Sequence, residues 1–259
     1  MGIAKWIKSI GKNTLYYPGC LTKFVLEKEF RNYKKILTAL GVDYIIIGEE
    51  VCCGMPVINA GYEKDARQLA KKNFEIFNKY GVKKIITSCP SCYSMLSKYK
   101  ELVPGWDIEV EHITITILHK LKKARITSIA NEEITYHDPC HLGRYSGIYE
   151  EPRQILRELG YTIKEMRHTK ENSLCCGGGA GLRNNEPNLS KKIAQERIQQ
   201  ARDLGVKKII TPCPLCFSHM KENSDLEVLE FSYVVGQALG LDVEKTQLEK
   251  TALEKEACS

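Results

Sequence analysis

A twelve-residue stretch occurs twice in this chain and constrains the fold more than any other feature. Residues 81–92 read Gly-Val-Lys-Lys-Ile-Ile-Thr-Ser-Cys-Pro-Ser-Cys, and residues 205–216 differ from them at only two positions. Each copy is a short β-branched run that leads directly into Cys-Pro-x-Cys, so two thiols follow the carboxyl end of a predicted strand. A chain that repeats such a unit is expected to consist of two similar halves.

Around this repeated unit, short apolar strands alternate with amphipathic helices. Strands are predicted at 14–18, 42–47, 84–87 and 108–111, and again at 134–137, at 161–166, before Cys213 and at 225–228. The run 42–47 is typical of a parallel strand covered on both faces. Such alternation implies right-handed crossovers and a parallel sheet whose carboxyl-end loops share one edge. The sequence therefore predicts an α/β fold of two repeated parallel-sheet halves related by pseudo-twofold symmetry, with domains at 13–121 and 134–243.

Ten cysteines form two copies of one pattern in the loops after the predicted strands. The first cysteine site consists of Cys20, Cys52, Cys53, Cys89 and Cys92, and the second cysteine site consists of Cys140, Cys175, Cys176, Cys213 and Cys216. Matching cysteines are 120 to 124 residues apart, so insertions are confined to loops. The eleventh cysteine, Cys258, has no counterpart in the first copy, and we expect it to bind nothing.

The abundance of cysteine points to metal binding or redox chemistry. A chain of 259 residues can bury a large core, so it does not need disulfides for stability. The sequence shows neither a signal peptide nor a bilayer-length apolar run, and we therefore expect a cytoplasmic protein with reduced thiols. The adjacent pairs Cys52-Cys53 and Cys175-Cys176 agree, because neighbouring residues rarely reach separate disulfide partners without strain.

Five thiols in each site favour an iron–sulfur cluster over zinc. A structural zinc ion is satisfied by four ligands and gives no reason for a fifth. Soft thiolates in excess are typical of iron–sulfur sites. Predicted helix N-termini beside Cys20, Cys89 and Cys92 would stabilise thiolates and an anionic cluster. A zinc-binding scaffold is the least favoured alternative.

The charge pattern does not indicate binding to nucleic acid. The formal net charge is +6, and the lysines are interspersed with acidic residues rather than gathered into a stripe with aromatic ones. We therefore expect no nucleic-acid partner.

Three glycines, Gly177, Gly178 and Gly179, directly follow the second cysteine pair. Their spacing does not fit the G-x-G-x-x-G turn of dinucleotide-binding proteins. Glycines let the backbone approach closely, so we expect these three to bind the cofactor by aiming amide groups at its sulfurs. A tight turn with no electronic role is the other interpretation.

Several basic side chains near the cysteines are candidate hydrogen-bond donors, namely His137, His141, His219, Arg144 and Arg183. Groups in such positions usually support ligands or are satisfied core residues. The alternative is that they handle protons or an anionic substrate. At the amino terminus, residues 1–12 have the spacing of a small amphipathic helix, which would lie on its own domain or dock on a partner or membrane surface.

Six motifs carry a resemblance to a known family. They are Tyr-Tyr-Pro-Gly-Cys20, Cys52-Cys53-Gly54, Cys89-Pro-Ser-Cys92, His-Asp-Pro-Cys140-His-Leu-Gly-Arg144, Cys175-Cys176-Gly-Gly-Gly and Cys213-Pro-Leu-Cys216. From about residue 14 to residue 243, the chain resembles the tandem cysteine-rich CCG domain family. This family includes the B and D subunits of heterodisulfide reductase and the iron–sulfur subunits of anaerobic glycerol-3-phosphate and of lactate or glycolate dehydrogenase systems.

The resemblance implies an oxidoreductase subunit that is active only in a complex. In the heterodisulfide reductase B subunit, each five-cysteine motif holds a noncubane 4Fe-4S cluster, and the clusters reduce a disulfide. By similarity, the first and second cysteine sites would each bind one such 4Fe-4S cluster for one-electron transfer. Disulfide reduction is one function that follows. Electron relay for a flavin-dependent lactate, glycolate or glycerol-3-phosphate dehydrogenase is the alternative.

Partner subunits also follow from the resemblance. Many relatives carry a ferredoxin module with the pattern C-x-x-C-x-x-C-x-x-x-C-P, which is absent from this sequence. We therefore expect electrons to come from a separate ferredoxin-like iron–sulfur subunit, a flavoprotein subunit or both, with a thiol disulfide as candidate substrate. Such a partner could also attach the protein to a membrane surface.

Overall fold

The computed structural model describes residues 13–246 of the chain. The predicted helix at 1–12 and the predicted unbound Cys258 lie outside this range. Within residues 13–246, no helix is both long enough and apolar enough to cross a bilayer.

The first half alternates strands and helices as predicted. Its strands are β1 Asn13–Tyr17, β2 Val82–Thr87 and β3 Glu109–His112. Its helices are α1 Cys20–Phe24, α2 Glu27–Ala39, α3 Met55–Asn59, α4 Glu63–Lys79, α5 Pro90–Ser97, α6 Tyr99–Leu102 and α7 Ile113–Leu121. The strands are parallel in the order β1-β2-β3, and Ile45 adds one parallel bridge to Leu15 of β1.

The second half repeats this arrangement. Its strands are β4 Glu132–Tyr136, β5 Tyr161–Ile163, β6 Lys208–Thr211 and β7 Glu227–Glu230. Its helices are α8 Glu150–Glu158, α9 Leu182–Asn185, α10 Pro187–Arg202, α11 Pro214–Glu222 and α12 Phe231–Ala238. The strands are parallel in the order β5-β4-β6-β7. Ile45 therefore takes the place in the first half that β5 takes in the second, and the repeated α/β fold is confirmed.

Helix α4 shows how the sequence determines these elements. Its buried residues Ala66, Ala70, Asn73 and Phe77 recur every three or four positions and so lie on one face. Gly81 follows at φ +62°, a left-handed backbone conformation that ends the helix at little steric cost. The chain then enters β2 directly.

Some predicted strands differ from the observed ones. Residues 42–47 do not form a doubly covered strand, because only Ile45 pairs and only Ile47 is buried. This segment borders the first sheet, and its apolar residues pack from one side, as Tyr44 does against the ring of Tyr16. The strand predicted at 161–166 ends at Ile163. The strands predicted at 108–111 and 225–228 begin one and two residues later than predicted, at Glu109 and Glu227.

Reciprocal helix pairs hold the two halves together. Helix α2 packs against α12, and α7 packs against α8. In the second half, α8 corresponds to α2 and α12 corresponds to α7. Exchanging the two halves therefore converts the α2–α12 pair into the α8–α7 pair. Self-complementary contacts of this kind are typical of twofold symmetry, which confirms the pseudo-twofold relation. The shared core contains Ile36, Leu37, Ile117, Leu121, Ile155, Leu156, Val234 and Val235.

A buried carboxyl group, Glu230, lies at this interface. Its Oε2 accepts a hydrogen bond from Ser232 N at 2.6 Å and so caps α12. Its Oε1 accepts a hydrogen bond from Tyr33 Oη of the first half at 2.7 Å. Complete burial, together with the nearby Glu29 carboxyl, raises the pKa of Glu230 to about 7. The contact between the halves therefore contains an acid that titrates near neutral pH.

We expect stability to depend on pH through Glu230. A raised folded-state pKa means that its contribution to stability is complete below about pH 4.5 and is lost as the pH rises through about 7. Relative to wild type, Glu230→Gln should therefore gain up to about 3 kcal/mol in free energy of unfolding between about pH 5 and about pH 8. Denaturant titrations at several pH values measure this difference. Parallel pH profiles for the two proteins would contradict it.

Candidate metal centres

The first cysteine site lies at the carboxyl ends of parallel strands. Cys20 begins α1 just after β1, and Cys89 occupies the N-cap position of α5 just after β2. Cys52 and Cys53 follow the bridge formed by Ile45. Because these segments are neighbours in one parallel sheet, their loops carry the thiols to one edge.

Contacts among the thiols show that the first site is one connected group. Hydrogen bonds from the Cys52 and Cys92 thiols lower the pKa of Cys53 well below its usual range. Hydrogen bonds with Cys53 and Cys89, together with burial, raise the pKa of Cys92. Burial and the charges of Cys89 and Cys53 also raise the pKa of Cys20. Each of the five predicted side chains therefore acts on the pKa of at least one other thiol of the site.

The second cysteine site has the same organisation. Hydrogen bonds from the Cys140 and Cys176 thiols lower the pKa of Cys175 far below its usual range. Hydrogen bonds with Cys176 and Cys213, together with burial, raise the pKa of Cys216. The structure thus brings the five predicted residues of the second half together as well.

Gly19 shows how closely the loops of the first site pack. Its φ is +83°, and a β-carbon at this position would lie 3.0 Å from Cys92 Sγ and 3.0 Å from Cys89 Cβ. Another residue would therefore be strained and would push the loop carrying Cys20 away from the other sulfurs.

The five-sulfur donor set of each site fits an iron–sulfur cluster. Neighbouring thiolates repel one another, so ionising all five requires compensating positive charge. A zinc ion would take four of them and leave the fifth without a role. An iron–sulfur cluster offers several iron atoms to soft thiolates. Metal binding by the ten cysteines stays a prediction, and the structure gathers them into the two predicted sets.

The first site is more open to solvent than the second. Cys20 is exposed, and Cys52 and Cys89 are half-buried. In the second site, Cys140 and Cys175 are half-buried and the other three cysteines are buried. Small molecules therefore reach the first site more easily.

A cavity of about 250 Å³ opens beside the first site. Cys20 and Cys52 line it together with Lys23, Phe24 and Glu50. The Lys23 ammonium group pairs with Glu50 at 2.5 Å, and the Phe24 side chain is 70% exposed. A molecule in this cavity would contact two of the five cysteines.

Backbone amides in the glycine loop donate hydrogen bonds to sulfur. Gly177 N lies 3.3 Å from Cys175 Sγ, and Gly178 N lies 3.5 Å from Cys176 Sγ. Such bonds stabilise the thiolate form of each cysteine.

Gly179 differs from its two neighbours, because its carbonyl accepts a hydrogen bond from Leu182 N at 3.1 Å and so helps to form a turn. In the first site, Gly54 N donates to Cys52 Sγ at 3.4 Å, as Gly177 does in the second. Cofactor binding by Gly177, Gly178 and Gly179 stays a prediction.

Two of the candidate basic residues bind the protein scaffold. Arg144 Nη1 donates to the carbonyl oxygens of Glu171 and Ser173 at 3.0 and 2.9 Å. Arg183 pairs with Glu222 at 2.5 Å. These contacts fix loops next to the second site.

The three candidate histidines occupy different environments. His219 Nε2 lies 3.0 Å from Ser190 Oγ, and its ring packs beneath Gly178. His141 is half-buried with its ring 4.9 Å from that of Tyr145. His137 is fully buried, and a ring nitrogen lies within 4.8 Å of the sulfurs of two cysteines of the second site, Cys176 and Cys216.

Sequence reasoning missed Arg197, which contacts His137. Arg197 Nε donates to His137 Nδ1 at 3.1 Å, and burial lowers the pKa of Arg197 to about 10. Burial, with a further contribution from Arg197, lowers the pKa of His137 to about 3, so the imidazole is neutral. Aligning α10 with α4 could have revealed it, because Arg197 stands at an inward position where the first copy has Asn73.

The loops of the two sites meet at the interface between the halves. Leu21 and Leu26, which follow Cys20, pack on the buried core around the second site. His141, next to Cys140, lies near Lys98 and Cys53 of the first half. A substrate cleft shared by both sites stays a prediction.

Comparison with protein families finds a match to the CCG cysteine-rich domain at residues 14–97 and again at residues 134–221. Both matched segments carry all five cysteines of their half.

Three curated proteins illustrate the similarity. The D subunit of the dihydromethanophenazine:CoB–CoM heterodisulfide reductase of Methanosarcina acetivorans is 33% identical over 246 residues, covering 90% of this chain and 60% of that protein. An uncharacterized iron-sulfur protein of Methanocaldococcus jannaschii is 36% identical over 213 residues, covering 80% of this chain and 41% of that protein. The EtfAB:quinone oxidoreductase of Syntrophomonas wolfei is 35% identical over 220 residues, covering 79% of this chain and 30% of that protein. The matches thus span 30 to 60% of the length of these relatives.

The glycine loop can be tested with a matched pair of variants. At Gly177, φ is +82° and a β-carbon would lie 2.6 Å from Ser190 O, so Gly177→Ala must displace the backbone. At Gly179, the nearest atom is Leu215 Cδ2 at 3.9 Å, which makes Gly179→Ala the control. We expect only Gly177→Ala to lose metal from the second site and about 1 to 3 kcal/mol of stability. Metal analysis and thermal unfolding measure these effects, and equal behaviour of the two variants would refute the expectation.

Proposed function

Because this chain belongs to the CCG cysteine-rich domain family, we propose that it is the iron–sulfur subunit of an oxidoreductase complex. Each of its domains, 13–121 and 134–243, binds one 4Fe-4S cluster of the noncubane kind. The observation that carries this proposal is the gathering of five thiols into one connected group in each half. When bound, such a cluster supplies one-electron transfer.

The chain itself prepares each site for an anionic group. The proposed ligands are Cys20, Cys52, Cys53, Cys89 and Cys92 in the first site and Cys140, Cys175, Cys176, Cys213 and Cys216 in the second. Cys89 and Cys213 occupy the N-cap positions of α5 and α11, whose N-terminal amides carry partial positive charge. Amide groups of Gly177 and Gly178 add hydrogen bonds to sulfur, and burial excludes water from most of the second site.

We propose reduction of a thiol disulfide as the reaction of the complex. A disulfide takes up two electrons while a cluster delivers one at a time, so two clusters near one substrate suit this reaction. The meeting of the two sets of loops at the interface supports it. The exposure of Cys20 beside a cavity gives a substrate sulfur access to the first cluster. Similarity to the D subunit of a heterodisulfide reductase is consistent with this reaction.

Electron relay is the second candidate, and similarity to the EtfAB:quinone oxidoreductase favours it. In either case the chain requires partners, because neither cysteine site is itself a source of electrons. We propose a ferredoxin-like iron–sulfur subunit, a flavoprotein subunit or both. The greater length of the relatives is consistent with additional modules.

The cluster content can be tested with two cysteine variants. Anaerobically purified protein should contain iron and acid-labile sulfide in amounts equivalent to two 4Fe-4S clusters. Cys176→Ser should perturb the spectrum of one cluster and spare the other, whereas Cys258→Ser should leave both unchanged. Zinc without sulfide would refute the proposal, and equal loss in both variants would refute the ligand assignment.

The two candidate functions predict different responses of the reduced protein. After chemical reduction, a disulfide reductase should be reoxidised by thiol disulfides, with changes in the cluster absorbance and electron paramagnetic resonance spectra. An electron relay should not be reoxidised by any disulfide. Its clusters should instead be reduced by a co-purified flavoprotein supplied with a hydroxy acid or glycerol phosphate. The second outcome would replace disulfide reduction by relay.

A further inference from the structure

His137 is a buried side chain whose second nitrogen has no partner among residues 13–246. Its Nδ1 contacts Arg197 Nε at 3.1 Å, and its Nε2 has no hydrogen-bond partner in that range. A ring nitrogen lies within 4.8 Å of the sulfurs of Cys176 and Cys216. Leaving a buried polar group without a partner costs free energy, so we expect Nε2 either to donate a hydrogen bond to an acceptor at the second cysteine site or to bind a metal there.

The contact with Arg197 shows whether His137 Nε2 is a hydrogen-bond donor or a metal ligand. A guanidinium nitrogen can only donate, so His137 Nδ1 must accept with its lone pair. The hydrogen of the neutral ring is therefore on Nε2. A nitrogen that carries hydrogen cannot coordinate a metal, and His137 is thereby a hydrogen-bond donor rather than a ligand.

Arg197 also brings positive charge to the second site. Its side chain is fully buried and contacts His137, the carbonyl oxygen of His168 at 2.6 Å and the side-chain oxygen of Gln200 at 2.9 Å. None of these groups carries a negative charge, and Nη2 has no partner among the described residues. The anions that act on the guanidinium group include Cys216 and Asp138, which is itself paired with an arginine. An anionic group at the second site would therefore offset a buried charge that the protein leaves largely uncompensated.

The first site lacks this pair. Tyr17 stands where the second copy has His137, and its hydroxyl donates to the carbonyl oxygen of Val51 at 2.7 Å. Asn73 stands where the second copy has Arg197, and its amide donates to the carbonyl oxygen of Cys52 at 3.1 Å. At matching positions, the first copy thus supports the backbone of a cysteine loop, whereas the second copy supplies a free N–H group and a cation.

We infer that His137, held by Arg197, donates its Nε2 hydrogen to a sulfur at the second cysteine site and thereby raises the reduction potential of the cluster bound there. Reduction adds negative charge to a cluster, so a hydrogen bond to sulfur and a nearby cation stabilise the reduced form more than the oxidised form. The inference rests on the proposed function. Arg197 is a positioning residue that acts through His137, and together the two residues make the two clusters electronically unequal.

The test is a redox titration of the anaerobically purified protein, followed by electron paramagnetic resonance. Loss of one signal in Cys176→Ser identifies the second cluster. His137→Leu removes the donor, and at a fixed electrode potential the ratio of reduced to oxidised second cluster should fall at least about tenfold, equivalent to about 59 mV. His137→Gln places an amide N–H near the position of Nε2 and should restore most of the wild-type ratio. Tyr17→Phe is the matched control and should leave the second cluster unchanged.

Labelling wild-type protein with ¹⁵N-histidine provides a measurement that does not depend on any variant. A hydrogen-bonded histidine should give a weak magnetic coupling between its nitrogen and the second cluster, together with one exchangeable proton. A strong coupling, as from direct iron–nitrogen bonding, would overturn the inference. So would equal shifts in His137→Leu and His137→Gln, or no shift in either while both clusters remain intact. Absence of clusters from wild-type protein would instead overturn the proposed function and the inference together.

Discussion

Five cysteine sulfur atoms gathered in one small volume impose the main constraint on each half of this protein. The proposed cluster binding requires thiolates, which repel one another, so the fold has to bring partial positive charge to the same place. A parallel sheet does so, because its carboxyl edge collects loops from several strands beside the N-termini of the helices that follow. Glycines at 19 and 177 then allow the loops to approach at distances that a β-carbon would prevent. The two sites are therefore products of the sheet edge, and the rest of each half holds that edge in shape.

Corresponding helices of the two halves make different buried contacts. Tyr33 on α2 donates to Glu230 across the interface, whereas Arg153 on α8 is fully buried and pairs with Asp138 at 2.6 Å and Glu165 at 2.7 Å. Removing one partner of such a buried pair costs about 3 to 5 kcal/mol. Asp138 is two residues from Cys140, so this ion pair fixes the loop that delivers the first cysteine of the second site. The second half thus fixes one of its cysteine loops with a buried ion pair.

Much of this architecture could be predicted from the sequence. The spacing of the ten cysteines and the copied strand were sufficient for the repeated α/β fold and for the composition of both groups of thiols. The apolar run 42–47 was misjudged, because composition does not tell whether one or both faces of a segment are covered. The burial of Arg197 could not be predicted for a related reason. The composition of α10 is polar, which is typical of a surface helix, and only the tertiary packing buries this arginine. Hydrogen-bond partners such as that of His137 depend on how loops from distant parts of the chain meet, and sequence spacing does not contain this information.

The reciprocal packing of α2 on α12 and of α7 on α8 has a consequence for the origin of the molecule. A chain with only one copy of the repeat would leave the apolar faces of its α2-like and α7-like helices exposed to water. Two identical copies could cover them by the same half-turn that relates the present halves. The arrangement is therefore the one expected of a symmetric dimer whose two subunits are joined end to end. Because the two halves belong to one chain, they need not be identical, and a tyrosine and an asparagine in one half can stand where the other half has a histidine and an arginine.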